Sequence, residues 1–320
     1  MCWLLVGLLF VACREKGDGC NSCGQLTPPF LVVGSAVHGE LAFFDLRDLH
    51  LIQKESLLGW ATACELVPSG NGLLVADNES GALLLYGLSE FGLLTHVSIA
   101  GTPTDLRVAR SSATGHLITN NSRYYRFPLS TFDPDTMFTG ENPRRIRMRP
   151  IGDQSAWIAC RGDSTVRAIK EQGFFEEMSI SFPSPCTDVA FSPDGLLAYC
   201  AVPGNDAIYV LDAGTGIFVD SLNFNSTIVD LCMSQQGHYL LAVDSADGDA
   251  KLFDLEHGID ESMNFGDSAI RPGFSVSSHA FFVICPAESR VLRLDPFVSP
   301  PRVTDTLDVD PIPQCLSFLE

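Results

Sequence analysis

Four acidic residues and one arginine recur along the chain at near-regular intervals: Glu65, Asp105, Arg145, Asp188 and Asp230. Each stands immediately before an apolar residue, respectively Leu66, Leu106, Ile146, Val189 and Leu231. The series continues as Gly273 before Phe274 and Cys315 before Leu316. Carboxylates at equivalent places in repeated units would converge into a partial ring. Like charges that close raise one another's pKa unless a cation or Arg145 compensates them. Several oxygens around one point is also the donor set of Ca²⁺. Glu65, Asp105, Asp188 and Asp230 are therefore candidate metal ligands, and with Arg145 they are candidates for the mouth of a central channel. The plainer reading, which weighs more, is a repeat consensus in which each carboxylate accepts hydrogen bonds within its own unit.

Other side chains offer less chemistry. The seven histidines are His38, His50, His96, His116, His238, His257 and His279, and none occupies the position before an anchor. His116, His238 and His279 open the second apolar run of their units, which reads as turn chemistry. No GxSxG, HExxH, P-loop or CxxCH pattern is present, so no catalytic residue is assigned. Cys20 and Cys23 have CxxC spacing but lack the second pair a zinc site requires. Cys64, Cys186 and Cys315 precede their anchors by one to three residues, and neighbouring innermost strands would bring Cys64 towards Cys315. Cys160, Cys200 and Cys285 fall in second strands and read as small buried hydrophobes.

The elements that must position these residues are short strands. The best-formed unit starts at Cys186, with runs Thr187–Phe191, Leu196–Ala201, Ala207–Leu211 and Ile217–Leu222. Each run is rich in Val, Ile, Phe, Tyr and Leu, and Gly, Pro, Asn or Asp stands at each turn. The anchors Leu66, Leu106, Ile146, Val189, Leu231, Phe274 and Leu316 are spaced by 40, 40, 43, 42, 43 and 42 residues. Four strands in a period of that length is the signature of propeller blades. Before the first full unit, three strands (Phe30–Val33, Leu41–Phe44, Leu51–Leu57) lack an innermost partner. After the last, Pro313–Leu319 is an innermost strand with nothing following it. One incomplete set completes the other. The expectation is an all-β, seven-bladed β-propeller of four-stranded antiparallel blades over residues 30–320, its ring closed by the C-terminal strand joining the N-terminal blade.

The segment Phe191-Ser192-Pro193-Asp194-Gly195, with Ala198-Tyr199-Cys200-Ala201 and Ala207-Ile208-Tyr209-Val210-Leu211-Asp212 after it, resembles the YVTN-type repeat of bacterial surface and periplasmic propellers. The resemblance is good over residues 186–260 and fades outward. It implies a fold and a compartment but no activity, since propellers host enzymes and binding proteins alike. Lactonase-type propellers use their channel mouth with carboxylates, Arg and His, which makes a metal-dependent hydrolase the alternative to a binding module.

The N-terminus reads as an address. Residues 1–12 (MCWLLVGLLFVA) form an apolar run too short to span a bilayer and fit a signal peptide. Phe10-Val11-Ala12-Cys13 resembles the lipobox of bacterial lipoproteins, which makes Cys13 the lipidated residue and residues 13–29 a polar, Gly- and Pro-containing tether. The implied location is the cell envelope, as a membrane-anchored lipoprotein facing the periplasm or on the outer membrane. A net charge of −19 disfavours nucleic acid and docking on anionic lipid. The expected partner is a protein, peptide or glycan at one propeller face. Contact with the membrane is expected through the lipid only, the chain is expected to be monomeric, and no cofactor beyond Ca²⁺ is called for.

Overall fold

The computed structural model describes residues 29–320, apart from residues 38, 110–112, 152–153, 225–226, 228–229, 267, 299 and 310–311. The signal and tether readings, with Cys13, Cys20 and Cys23, lie outside the described residues, as does His38. Seven four-stranded antiparallel sheets make up the structure. Six are consecutive in the chain. The seventh has the order Pro313–Leu319, Phe30–Ser35, Glu40–Asp45, Leu51–Ser56, so the last strand of the chain is the innermost strand of blade 1. Its register sets Leu31 opposite Phe318, Val33 opposite Leu316 and Gly34 opposite Cys315. Two termini that each lack a partner thus satisfy one another and leave no open seam in the ring.

The second strand of each blade shows why the repeats stand as a ring of sheets. Gly72–Asp77, Ser155–Cys160 and Ala280–Cys285 are buried at every position. A strand inside a sheet with another sheet packed on each face has no solvent side, so apolar residues run on without alternation. Outermost strands do face water, and Phe175–Ser181 and Phe218–Asn223 are largely exposed. Among the described residues, buried apolar side chains sort into seven clusters, each between two neighbouring blades. In one of them Trp157, Ala159 and Val166 of blade 4 meet Val189, Phe191 and Cys200 of blade 5. With the core between the blades, the innermost strands are left lining the axis. They are Pro313–Leu319, Ala61–Leu66, Pro103–Ala109, Pro143–Met148, Asp188–Phe191, Asp230–Met233 and Ile270–Ser275, for blades 1 to 7 in turn.

Candidate functional site

Asp105, Asp188 and Asp230 sit on three of these innermost strands with no solvent exposure. Each carboxylate clips its own blade to the next. Asp105 accepts the amide N–H of Ile146 at 3.1 Å, Asp188 that of Leu231 at 2.9 Å, and Asp230 that of Arg271 at 2.9 Å. At the closure Ser317 does the same work, its hydroxyl oxygen accepting the N–H of Leu66 at 3.0 Å. The expectation of bonds within one blade holds for Asp188, whose Oδ1 accepts the N–H of Val189 at 2.8 Å, and is corrected for the bonds that join neighbouring blades. Innermost strands of different blades do not pair, so their inward N–H groups need a side-chain acceptor, and a short carboxylate from the preceding blade reaches them.

The remaining oxygens face guanidinium groups. Arg145 grips Asp230 with two parallel bonds, from Nε at 2.8 Å and from Nη2 at 2.9 Å, and Arg144 adds a contact at 3.3 Å. Arg147 donates to Asp188 at 2.7 Å and lies 3.5 Å from Asp105. Arg271 crosses from blade 7 to blade 3, where it donates to Asp105 at 2.8 Å and to the carbonyl of Thr104 at 3.2 Å. Arg107 pairs with Glu65 at 3.2 Å. Arg145 was expected to be the one counter-charge, and that is corrected too: among the described residues five guanidiniums face four carboxylates. Arg107 and Arg147 were missed although each lies two residues beyond a position already singled out, on the same face of its strand. Arg271 carried no such signal. Its strand shifts register between Ile270 and Gly273, and Arg271 itself has φ 46°.

The electrostatics follow from this lattice. Burial alone would push Asp105 up, but Arg271, Arg107, Arg145 and Arg147 together hold it well below the usual carboxylate range. Burial is likewise outweighed at Asp230 by Arg145 and Arg144. Asp188 goes the other way: burial raises it, Arg147 offsets only part of that, and the charge of Asp230 adds to the rise. The four carboxylates are a poor calcium cage, since their oxygens are engaged by arginines or by backbone amides that a cation would have to displace. Among the described residues, the cluster whose ligand atoms lie close enough together for one ion is Asp45, Asp48 and His50, in a surface turn where Asp45 is held by Arg47.

Among the described residues, a cavity lies on either side of the crossing arginines, and Arg271 lines both. On one side is a funnel of about 650 Å³ with Glu65, Asp105, Arg107, Arg147 and Arg271 on its wall, together with Met148, Phe191, Phe274 and Phe318. On the other side is a smaller recess of about 360 Å³ carrying Arg144, Arg145, Arg161 and Arg271. Glu65 and Asp105 thus line the wide mouth and Arg145 the narrow one, while Asp188 and Asp230 are enclosed within the lattice. Cys232 also lines the funnel, but burial pushes its thiol up to about 12, far from the thiolate form of a nucleophile.

Of the three histidines read as turn residues, His279 does sit in a turn, with φ 48°. His116 does not. It is fully buried, its Nδ1 lies 2.7 Å from the Tyr124 hydroxyl and its Nε2 3.0 Å from that of Thr114, and burial with the nearby Arg126 pushes it down to about 3. Cys64 and Cys315 are both buried with their thiols in contact across the closure, and Cys186 meets Cys200 within blade 5.

No family model matches the sequence, and no curated protein sequence does. Solved structures do resemble the fold. A protein of unknown function from Desulfotomaculum acetoxidans superposes with a TM-score of 0.78 over 92% of this chain and 99% of that one, at 13% identity. Hydrazine synthase of Kuenenia stuttgartiensis superposes with a TM-score of 0.71 over 80% of this chain and 89% of that one, also at 13% identity. This chain is a seven-bladed β-propeller. At such identity the likeness speaks to fold alone.

Proposed function

We propose that the chain is a non-enzymatic binding or scaffolding propeller of the cell envelope, tethered through a lipid on Cys13, that receives part of a protein, peptide or glycan in its wide funnel. The observation that carries this reading is the larger axial cavity with the ion-pair lattice on its wall. A cavity of about 650 Å³ is within the range that holds a ligand group, and Asp105, Arg147 and Arg271 of its lining are held in ion pairs. Asp105, Asp188 and Asp230, which a hydrolase would use as bases or metal ligands, are committed to guanidiniums and to the amides of neighbouring blades. Aromatic and methionine side chains on the wall offer contact area, and the arginines offer direction. The repeat resemblance over residues 186–260 and the apolar run ending at Cys13 support the compartment.

Peptide and glycan arrays probed with the pure protein test the reading, with Gln235→Trp as control. Gln235 is exposed at the funnel wall, so a tryptophan there narrows the socket without disturbing a core. Binding that disappears in the Gln235→Trp variant is expected. Turnover of lactones or phosphoesters that depends on added divalent metal would overturn it in favour of the hydrolase. For the anchor, Cys13→Ala should move the protein from the membrane fraction to the soluble one, and a mature native N-terminus without lipid would refute it.

A further inference from the structure

We propose that the smaller recess, across the arginine lattice from the funnel, is a binding site for a doubly charged oxyanion, of the charge of a phosphoryl group, held between Arg144 and Arg161. The proposal goes beyond the funnel reading and does not depend on it. The chain has 39 acidic and 20 basic residues, yet the charged residues lining the recess are all arginines: Arg144, Arg145, Arg161 and Arg271. Behind that wall, Asp230 takes two parallel bonds from Arg145, and Asp105 is bonded by Arg271. Four guanidiniums against these two carboxylates leave an excess of two positive charges, close to the charge of about −1.5 to −2 that a phosphoryl group carries near pH 7. The acids next in sequence to lining residues do not cancel it. Asp77 and Asp244 accept loop amides, Asp77 those of Trp60, Glu79 and Ser80 and Asp244 those of Thr227 and Ala246, and Glu141 is exposed.

Arg144 is the arginine that the lattice explains least. Its Nη1 donates to the Thr187 carbonyl at 3.2 Å and lies 3.3 Å from Asp230, a carboxylate that Arg145 already grips. Its side chain keeps 21% of its surface exposed, so a ligand in the recess reaches it. Burial pulls its guanidinium down to about 10; Asp230 opposes that, and the like charges of Arg145 and Arg271 add to it. At Arg145 burial is instead outweighed by Asp230 and Asp105. The shortage of negative charge is thus local to Arg144, and an anion beside it would lower the cost of keeping the arginine charged. Arg161 is exposed on the same recess and makes no ion pair among the described residues. Its amide donates to the Asn142 carbonyl at 3.0 Å, which sets it beside the turn that leads into the strand of Arg144. Two guanidinium forks suit the oxygens of a phosphoryl group, and the hydroxyls of Thr62, Thr102 and Ser245 on the same lining can donate to what remains. A recess of about 360 Å³ holds the anion together with part of the molecule that carries it.

The test is calorimetry and thermal melting of the full chain at about pH 8, where phosphate is largely dianionic. Inorganic phosphate and malonate are compared with acetate and chloride at matched ionic strength. At least one of the two dianions should bind with measurable heat and raise the melting temperature by a few degrees, and the monoanions should not. Response to phosphate alone assigns phosphoryl groups, and response to malonate alone assigns paired carboxylates. Arg161→Gln alters an exposed side chain, so the unliganded melting temperature should stay at the native value while binding weakens at least about fivefold. Arg144→Gln should weaken binding at least about tenfold. Gln235→Trp, which narrows the funnel, should bind the dianion as the native chain does. No heat with either dianion, a response matched by acetate or chloride, or binding unchanged in Arg161→Gln overturns the proposal. Binding lost in Gln235→Trp would place the anion in the funnel and overturn it likewise.

Discussion

Asp230→Ala should be among the most damaging single substitutions in this propeller. Asp230 has no exposure and accepts two bonds from Arg145, a third contact from Arg144 and the amide of Arg271. Removing it leaves Arg145, 6% exposed, facing the space its partner filled. Breaking a buried pair from one side costs about 3–5 kcal/mol, because the surviving charge is uncompensated. The orphaned Arg271 amide adds about 1 kcal/mol. For a chain of this size each kcal/mol lowers the melting point by about 2 °C, so the fall should be about 8–12 °C.

Thermal and urea unfolding of Asp230→Ala checks the cost, and Asp230→Leu, Arg145→Met and the double variant Asp230→Leu/Arg145→Met complete a cycle. The double variant should recover most of the loss, since an apolar pair carries no desolvation penalty, and the coupling energy should exceed about 2 kcal/mol. The pH sign is fixed as well. The folded pKa of Asp230 is depressed below 3.8, so its contribution is fully present above that pH and is lost as the pH falls towards the folded value. If Asp230→Ala costs less than about 1 kcal/mol, the lattice is hydrated and the reasoning from burial is wrong.

Three further outcomes follow from the same geometry. Deleting residues 313–320 strips Phe30–Ser35 of its partner and Leu66 of the Ser317 acceptor; cooperative unfolding should be lost, and a truncated chain that melts like the intact one would refute the closure's importance. His116 has its folded pKa near 3 against 6.5, so stability is complete above about pH 6.5 and falls, by at most about 5 kcal/mol, as pH drops towards 3; pH-dependent urea midpoints should flatten in His116→Gln, and an unchanged slope would count against it. In the presence of a disulfide oxidant, which takes up the two electrons and the thiol protons, Cys64 and Cys315 should join; closing a loop of about 250 residues would stabilise by about 5 kcal/mol on the chain-entropy account. Peptide mapping without reductant detects the link, and two alkylatable thiols after oxidation would exclude it.

The ring was legible because its signals are local and repeated. Turn residues punctuate apolar runs at one period, and the unmatched strands at the two ends complement each other in number. The acidic half of the axis was legible for the same reason, since Asp105, Asp188 and Asp230 hold one place relative to their anchors. The basic half was not. Comparing one position per blade overlooks the pleat, which brings Arg107 and Arg147 onto the axis two residues further on. Arg271 is harder still, because a register shift and a left-handed backbone place it there, and neither is written in composition or spacing. His116 shows the opposite error. A polar residue at the edge of an apolar run looked like a turn, but Tyr124 on the adjacent strand gives it a buried partner.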